Sequence, residues 1–301
     1  MASTPSIGYN PLPWLLGPDG FTLDVPTLRT AFAAIAGAGF TAVQADVPEG
    51  TSPAEYRALL DGYGLRPAPG YFQATFEDRA ALPGILERAR GHAGTQAALG
   101  MTEVFIASAL TPERIAAPST GAGFDPARLA TVTEQLALAC EVITAEGLRP
   151  CLHPHVGSWI ETETETRAAL DGIDPSLLSF GPDTGHLHWA GIDPAAIIRD
   201  YRDRVGAVHL KDVHSAVAQE ARAAGADYRE TTVGRHVWTE PGRGDIDLEA
   251  ALHALPEAFS GWLVVEVDIP DQVTREESAE RSGAWVRERL ARSAESQEEK
   301  V

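Results

Sequence analysis

The sequence predicts a single α/β domain folded as a (β/α)8 TIM barrel. Three observations predict it. Short apolar runs alternate with longer helical patterns along the chain, and such alternation requires a mostly parallel sheet. Eight strand–helix units can be counted, the number that closes a barrel. No G-x-G-x-x-G follows the first strand, which disfavours the nucleotide-binding form of the alternative, a doubly wound open sheet. A length of 301 residues suits one such barrel, and no shift in composition marks a second domain.

The strands are read in order as SIGYN (6–10), TAVQA (41–45), LRPAPGYF (65–72), TEVFIAS (102–108), LRPCLHPH (148–155), LLSFGPD (177–183), VGAVHLKD (205–212) and GWLVVEVD (261–268). Each is bounded by Gly, Pro, Asp or Ser, residues that end extended runs. The helical segments carry start and stop signals. DVPTLRTAFAAIAGAG opens with Asp24 as N-cap and Pro26 in its first turn, and leaves at Gly37. SPAEYRALLDGYG sets Ser52 as cap, Pro53 next, Glu55 three residues after the cap, and Gly62 or Gly64 at the end. In DPARLATVTEQLALACEVITAEG, the residues Leu129, Val132, Leu136 and Val142–Ile143 recur at helical spacing, and Gly147 closes the segment. DPAAIIRDYRDR and DIDLEAALHAL are shorter, and ETETETR (161–167) reads as a solvated helix start.

The barrel is expected to span 1–292, with 293–301 as a flexible C-terminal tail. One connection is long: about 30 residues, near 213–243, separate strand seven from its helix, and a loop of that length is uncommon without a function. An excursion over one mouth of the barrel is expected there.

A net charge of −19 repels phosphate backbones and anionic lipid, so neither nucleic acid nor a membrane is expected as a partner. Divalent cations are attracted. No run of 18 apolar residues predicts a spanning helix, and no basic region followed by an apolar run predicts a signal peptide. Cys140 and Cys151 lack metal-site spacing and are expected to be free thiols of a cytoplasmic protein.

In a (β/α)8 barrel the functional groups sit where strands end, at the C-terminal mouth. His153 and His155 end strand five; Asp183 ends strand six, with His186 just after it; His209 and Lys211 end strand seven; Glu266 and Asp268 lie late in strand eight. Residues two apart on a strand share a face, so each pair can turn toward one cavity. Taken singly, Asp183 could be a helix cap and His209 a hydrogen-bonded core residue. A carboxylate inside LVVEVD is harder to explain, because it is costly there unless paired or bound to a cation. An Asp, one or two His and a Glu from consecutive strand ends make a mixed N/O donor set that suits Mn²⁺, Co²⁺ or Zn²⁺ better than Ca²⁺. Trp14, Tyr71 and Phe72, from the first and third strand regions, are candidate apolar walls over a sugar face.

LRPCLHPHVGSWIET, DTGHLHWAGIDPAAIIRDYRDRVGAVHLKDV, EPGRGDIDLEAAL and GWLVVEVD resemble the xylose isomerase-like barrel superfamily of sugar phosphate isomerases and epimerases. Within it they are similar to the inosose dehydratase-like branch. The resemblance is good from 145 to 270 and weak over 1–140. It implies a metal held from strands five to eight, here by Asp183, His209 and Glu266 with His153 at the strand-five position. Many relatives have Glu in place of His153, in an E-N-H context, so His153 is a candidate ligand and a candidate base. The resemblance also implies substrate contacts for His186 and Arg243.

The chemistry implied is proton removal from carbon beside a carbonyl of a sugar, keto-sugar or cyclitol, through a metal-stabilised enediolate. Glu266, His153 and His155 are the candidate bases, and Lys211 the candidate proton donor or oxyanion partner. Reprotonation gives an isomerase or epimerase, the first expectation. Expulsion of a β-substituent gives a lyase, the alternative, whether an inosose dehydratase or a 3-keto-glycoside-cleaving enzyme. A non-catalytic metal- or sugar-binding protein is the rival of another class, and a homo-oligomer is compatible with the sequence.

Overall fold

A computed structural model of the chain describes residues 5–17, 20–271 and 274–298. Its centre is a ring of eight strands: β1 (Ser6–Tyr9), β2 (Ala42–Gln44), β3 (Arg66–Ala68 and Tyr71–Ala74), β4 (Glu103–Ser108), β5 (Arg149–Leu152), β6 (Ser179–Phe180), β7 (Ala207–Leu210) and β8 (Trp262–Val265). All are parallel to their neighbours. The hydrogen-bonded order runs β7-β8-β1-β2-β3 through the first segment of β3, and β3-β4-β5-β6 from its second. The ring therefore has two weak seams. One lies within β3, where Pro69 has no N–H to give to a ladder. Gln96 mends it from a helix: its carbonyl accepts from Gly70 N at 3.1 Å and its amide donates to Ala45 O at 2.8 Å. A side chain at Gly70 would displace that amide, since a Cβ there would fall 2.3 Å from Gln96 Nε2. The other seam, between β6 and β7, closes through two single bridges, Phe180–Val205 and Asp183–His209.

Ala42, Ala68, Phe105, Cys151, Ala207 and Val264 fill the barrel interior. Small residues dominate this set, and the one large ring, Phe105, comes from β4. Larger apolar groups pack outside the ring, between strands and helices. The helix signals read from sequence form as written. Asp24 accepts from Thr27 N ahead of Val25–Gly37, and Ser52 with Glu55 makes a reciprocal capping box on Pro53–Asp61. Cys140 and Cys151 are both free and buried. The reading of ETETETR as solvated is corrected. Glu161 and Glu165 are buried, because both pair with the buried Arg114 guanidinium, at 2.8 and 2.5 Å. Glu161 also accepts backbone N–H groups of Ser119, Gly121 and Gly157, so this network pins the loop that follows β5.

The segment after β7 leaves the barrel as an antiparallel pair, Asp212–Val213 with Trp238–Thr239. Between the two arms lie a helix, Ser215–Ala224, and one π-helical turn, Glu230–Gly234. Val156, Trp189, Val213, Ala218, Val237, Trp238, Ile246 and Leu248 form a small core beneath it. The buried Asp212 carboxylate ties its return together. Oδ2 accepts from Gly242 N and Gly244 N at 2.9 and 3.0 Å, and Oδ1 from Val213 N and Ile246 N at 2.9 and 3.2 Å. The last helix, Arg275–Glu298, continues past the expected end at 292, and residues 299–301 of the expected tail lie outside the described residues. Among the described residues no helix is long and apolar enough to cross a membrane.

Candidate metal centre and active site

The C-terminal ends of β5 to β8 converge on one buried cluster. The bridge between Asp183 and His209 sets those two residues side by side, and His209 pairs in register with Val264 of β8, two residues before Glu266. Asp183 serves two purposes. Its Oδ1 accepts from His186 N at 2.8 Å and caps the short helix Thr184–Trp189. Its Oδ2 is left over, buried and without a hydrogen bond. Around Oδ2 lie His209 Nδ1 at 3.7 Å, His153 Nε2 at 4.0 Å and Lys211 Nζ at 3.9 Å. Glu266 divides its oxygens: Oε1 takes the Lys211 ammonium at 2.7 Å, and Oε2 lies 3.1 Å from His209 Nδ1. Asn10, at the end of β1, donates its amide to the same Oε2 and holds its own carbonyl against Leu12 N.

Lys211 is fully buried among three carboxylates, Asp183, Glu266 and Asp268, with Trp238 of the excursion 4.3 Å above its ammonium. Burial alone would lower its pKa, but Asp268, Glu266 and Asp183 outweigh burial and hold it well above the ordinary lysine range. Burial likewise works to raise Glu266, and the His209 and Lys211 charges overcome it, so that carboxyl is held well below the usual range. Asp268, paired with Lys211 and facing the Glu266 charge, is pushed up by burial to about 7. Gly185 makes room for the lysine stem: a Cβ there would lie 2.7 Å from Lys211 Cγ.

Three of the histidines are held neutral. Burial pushes His153 and His186 well below the ordinary imidazole value, and burial together with the Lys211 charge pushes His155 down to about 4. His155 Nδ1 lies 2.7 Å from the Val156 carbonyl, which can only accept. The ring proton therefore sits on Nδ1, and the half-buried His155 offers a bare Nε2. Its ring lies 3.7 Å from that of His186, and Tyr228 of the excursion stacks with it at 6.0 Å. Phe105 packs against His209 at 4.0 Å between ring centres, and Tyr71 meets His153 edge-on at 5.1 Å, so the ligand side of the cluster is dry.

These groups fit a divalent cation. One ligand atom from each of His153, Asp183 and His209 falls within 4.8 Å of the other two, and so does one from each of Asp183, His186 and Glu266. Asp183 Oδ2 and His209 Nδ1 are buried, aimed into the cluster and without hydrogen-bond partners. Buried polar atoms left in that state are costly unless something occupies the space between them. Two imidazoles and two carboxylates make the donor set of a transition-metal or zinc site.

The family model for the xylose isomerase-like TIM barrel matches residues 32–289. The chain belongs to that family. Among its relatives, the inosose dehydratase of Geobacillus kaustophilus (strain HTA426) is 28% identical over 268 residues, covering 87% of each chain. Among solved structures, 3-keto-D-glucoside 4-epimerase from E. coli superposes with a TM-score of 0.69 at 18% identity, covering 94% of this chain and 99% of that one. The D-allulose 3-epimerase of Methylomonas sp. superposes with a TM-score of 0.68 at 17% identity, covering 95% and 98%. At those identities the structural likenesses speak for the fold. The family assignment agrees with the resemblance read from residues 145 to 270, and the match extends well into the N-terminal half.

Of the residues singled out in the sequence, His153, His155, Asp183, His186, His209, Lys211 and Glu266 come together in this family barrel. His153 and His155 do so differently from expectation. β5 ends at Leu152, so they project from the loop beyond it rather than from alternate positions of a strand. Trp14 and Arg243 are not brought into the cluster. Trp14 is buried on the outer side of β1, packed edge-on against Tyr9, with its indole N–H toward Glu276 at 3.4 Å. Arg243 lies on the exposed turn of the excursion, 3.7 Å from the buried Glu240. Asn10, Gln44 and Asp46 belong to the site and went unread: the two amides carry no titratable signal, and Asp46 lies one residue beyond the TAVQA strand. Gln44 is nonetheless the one polar side chain of TAVQA besides its opening threonine, and Asn10 ends SIGYN. The same rule that located Asp183, a polar residue at a strand's C-terminal end, applies to both.

Proposed function

We propose that the chain is a divalent-metal-dependent lyase that dehydrates a keto-cyclitol of the inosose class. The observation that carries this reading is the buried, partner-lacking donor set of Asp183 Oδ2 and His209 Nδ1, bracketed by His153 and Glu266. The near-full-length similarity to an inosose dehydratase supports elimination over isomerisation or epimerisation, which the residues alone put first. His153, Asp183, His209 and Glu266 would hold the ion. When bound, it supplies Lewis-acid polarisation of a ketone and its neighbouring hydroxyl.

The remaining work falls to side chains. His155, neutral at pH 7 with a bare Nε2 at the rim, is placed to take the proton from the carbon beside the ketone. Lys211 can deliver a proton to the departing β-hydroxyl, which leaves as water, and Asp268, paired to it, can restore that proton. Trp238 and Tyr228 close over Lys211 and His155 and exclude bulk water. No cationic side chain other than Lys211 pairs with the cluster among the described residues, and Lys211 is already neutralised by carboxylates, which favours an uncharged polyol over a phosphorylated sugar.

The test is incubation with Mn²⁺ or Co²⁺ and an inosose in D₂O. Deuterium uptake with appearance of an unsaturated or diketone product is expected. Deuterium uptake into recovered or epimerised substrate, with no dehydrated product, would move the assignment to epimerisation. Neither uptake nor product across inososes, ketoses and 3-keto-glycosides would remove the enzymatic reading.

A further inference from the structure

We propose that Gln44 is a positioning residue for His209, fixing its imidazole so that the Nδ1 lone pair faces the ligand cluster. The inference rests on the reading of that cluster as a metal site. Gln44 ends β2, on a part of the barrel remote in sequence from the ligands, and its side chain is buried. Its Oε1 lies 3.0 Å from His209 Nε2, and its Nε2 donates to Asp46 Oδ2 at 3.3 Å.

The donor logic runs one way. A carboxylate only accepts, so the amide NH₂ must face Asp46, and the amide oxygen must then face His209. An amide oxygen also only accepts, so His209 Nε2 must carry the ring proton. In the metal-binding, neutral form of the ring, Nδ1 is then left bare, 3.1 Å from Glu266 Oε2 and 3.7 Å from Asp183 Oδ2. His209 Nδ1 and Asp183 Oδ2, both without a hydrogen bond, then face one another as acceptors, an arrangement that a cation between them would stabilise.

The competing state is the other tautomer. With its proton on Nδ1, His209 would donate to Glu266 Oε2, and the cluster would satisfy itself. Gln44 makes that state costly, because a buried Gln44 oxygen would then face a bare nitrogen. The relay thus biases the empty cluster toward metal capture. Partners of this kind are worth roughly 10–100-fold in metal affinity.

The experiment uses the full chain stripped of metal by chelation, with Co²⁺ as the probe. Binding is followed by calorimetry and visible absorption, and the His209 tautomer is read by ¹⁵N NMR in the metal-free protein. The wild type should show a protonated Nε2 and a bare Nδ1. Gln44→Met, which keeps the volume and removes the acceptor, should weaken Co²⁺ binding about 10–100-fold and move the proton to Nδ1. The double variant Gln44→Glu with Asp46→Asn keeps the total charge and an acceptor facing His209 Nε2, while the hydrogen bond between positions 44 and 46 reverses so that position 46 donates, and it should bring affinity back to within about threefold of wild type. The proposal is overturned if Gln44→Met binds Co²⁺ as wild type does, if the double variant is as weak as Gln44→Met, or if the wild type carries its proton on Nδ1. A wild type that binds no Co²⁺ overturns the metal reading, and this inference with it. A wild type that binds while Gln44→Met binds equally well overturns this inference alone. Should Gln44→Met fail to fold, the wild-type tautomer and the double variant decide.

Discussion

Replacing Asp212 by Asn tests how the excursion is held over the site. The change is isosteric and removes one charge. Asp212 accepts four backbone N–H bonds, two on each oxygen. An amide can keep one oxygen, so its NH₂ must face two N–H donors. The less costly orientation keeps the oxygen against Val213 and Ile246, which are buried, and turns the NH₂ toward Gly242 and Gly244. Hydrogen bonds to a charged acceptor contribute about 1.5–3 kcal/mol each, so two would amount to roughly 3–6 kcal/mol. Gly242 and Gly244 lie at the surface and can recover water, which brings the expected loss to about 2–4 kcal/mol. In a chain of this size that lowers Tm by roughly 4–8 °C. Thermal unfolding followed by circular dichroism reads the loss. Hydrogen exchange at the Gly242 and Gly244 amides reads whether it is local. Activity should fall as well, because Asp212–Val213 pairs with Trp238–Thr239 and positions Trp238 over Lys211. A change below about 0.5 kcal/mol, the level of an ordinary surface substitution, with unaltered exchange would refute the argument.

Other outcomes follow from the same geometry. Glu266→Gln and His209→Ala should each lower kcat/KM at least about 10²–10⁴-fold with the circular dichroism spectrum unchanged; near-wild-type turnover in both would show the site to be wrongly assigned. His155→Ala should lower kcat by a similar factor while leaving Co²⁺ affinity within a few-fold, and a matching loss of affinity would make His155 a ligand instead of the base. Arg114→Ala leaves two buried carboxylates without their cation and should cost about 3–5 kcal/mol by chemical denaturation; a neutral result would contradict the buried network. Burial holds His92 down at about 4 against an ordinary 6.5. Because its folded pKa is depressed, its contribution is complete above pH 6.5, declines as the unfolded chain takes up a proton below that, and declines no further below about 4. The total is at most about 3 kcal/mol, and a His92→Phe variant should show a correspondingly flatter pH–stability curve between those limits.

The barrel is legible in the sequence because each strand is short, apolar and bracketed by turn residues, and because helix caps such as Asp24 and the Ser52–Glu55 box declare their function locally. The ligand-bearing half of the site is legible for a related reason. A carboxylate or imidazole at the end of an apolar strand is expensive, so its presence is a signal. Asp183 shows the limit of that signal. The sequence poses cap against ligand, and the structure has one oxygen capping and the other free. Trp14 and Arg243 could not be assigned from sequence, since neither an aromatic after a strand nor an arginine in a turn states which way it faces. Arg114 with Glu161 and Glu165 shows the reverse difficulty: a run of acidic residues looks solvated until a cation from the short helix Pro112–Ala116, remote in sequence, is brought against it. The amides Asn10 and Gln44 were hidden because their effect is exerted through neighbours contributed by strands seven and eight.

The central claim is that four side chains from successive barrel positions share one ion. Crystals of the protein grown with Zn²⁺, measured above and below the zinc absorption edge, test it most directly. The account predicts one anomalous peak bonded to His153 Nε2, Asp183 Oδ2, His209 Nδ1 and Glu266 Oε2 at about 2.0–2.2 Å. No peak there, with Lys211 Nζ filling the space between the carboxylates, would contradict it.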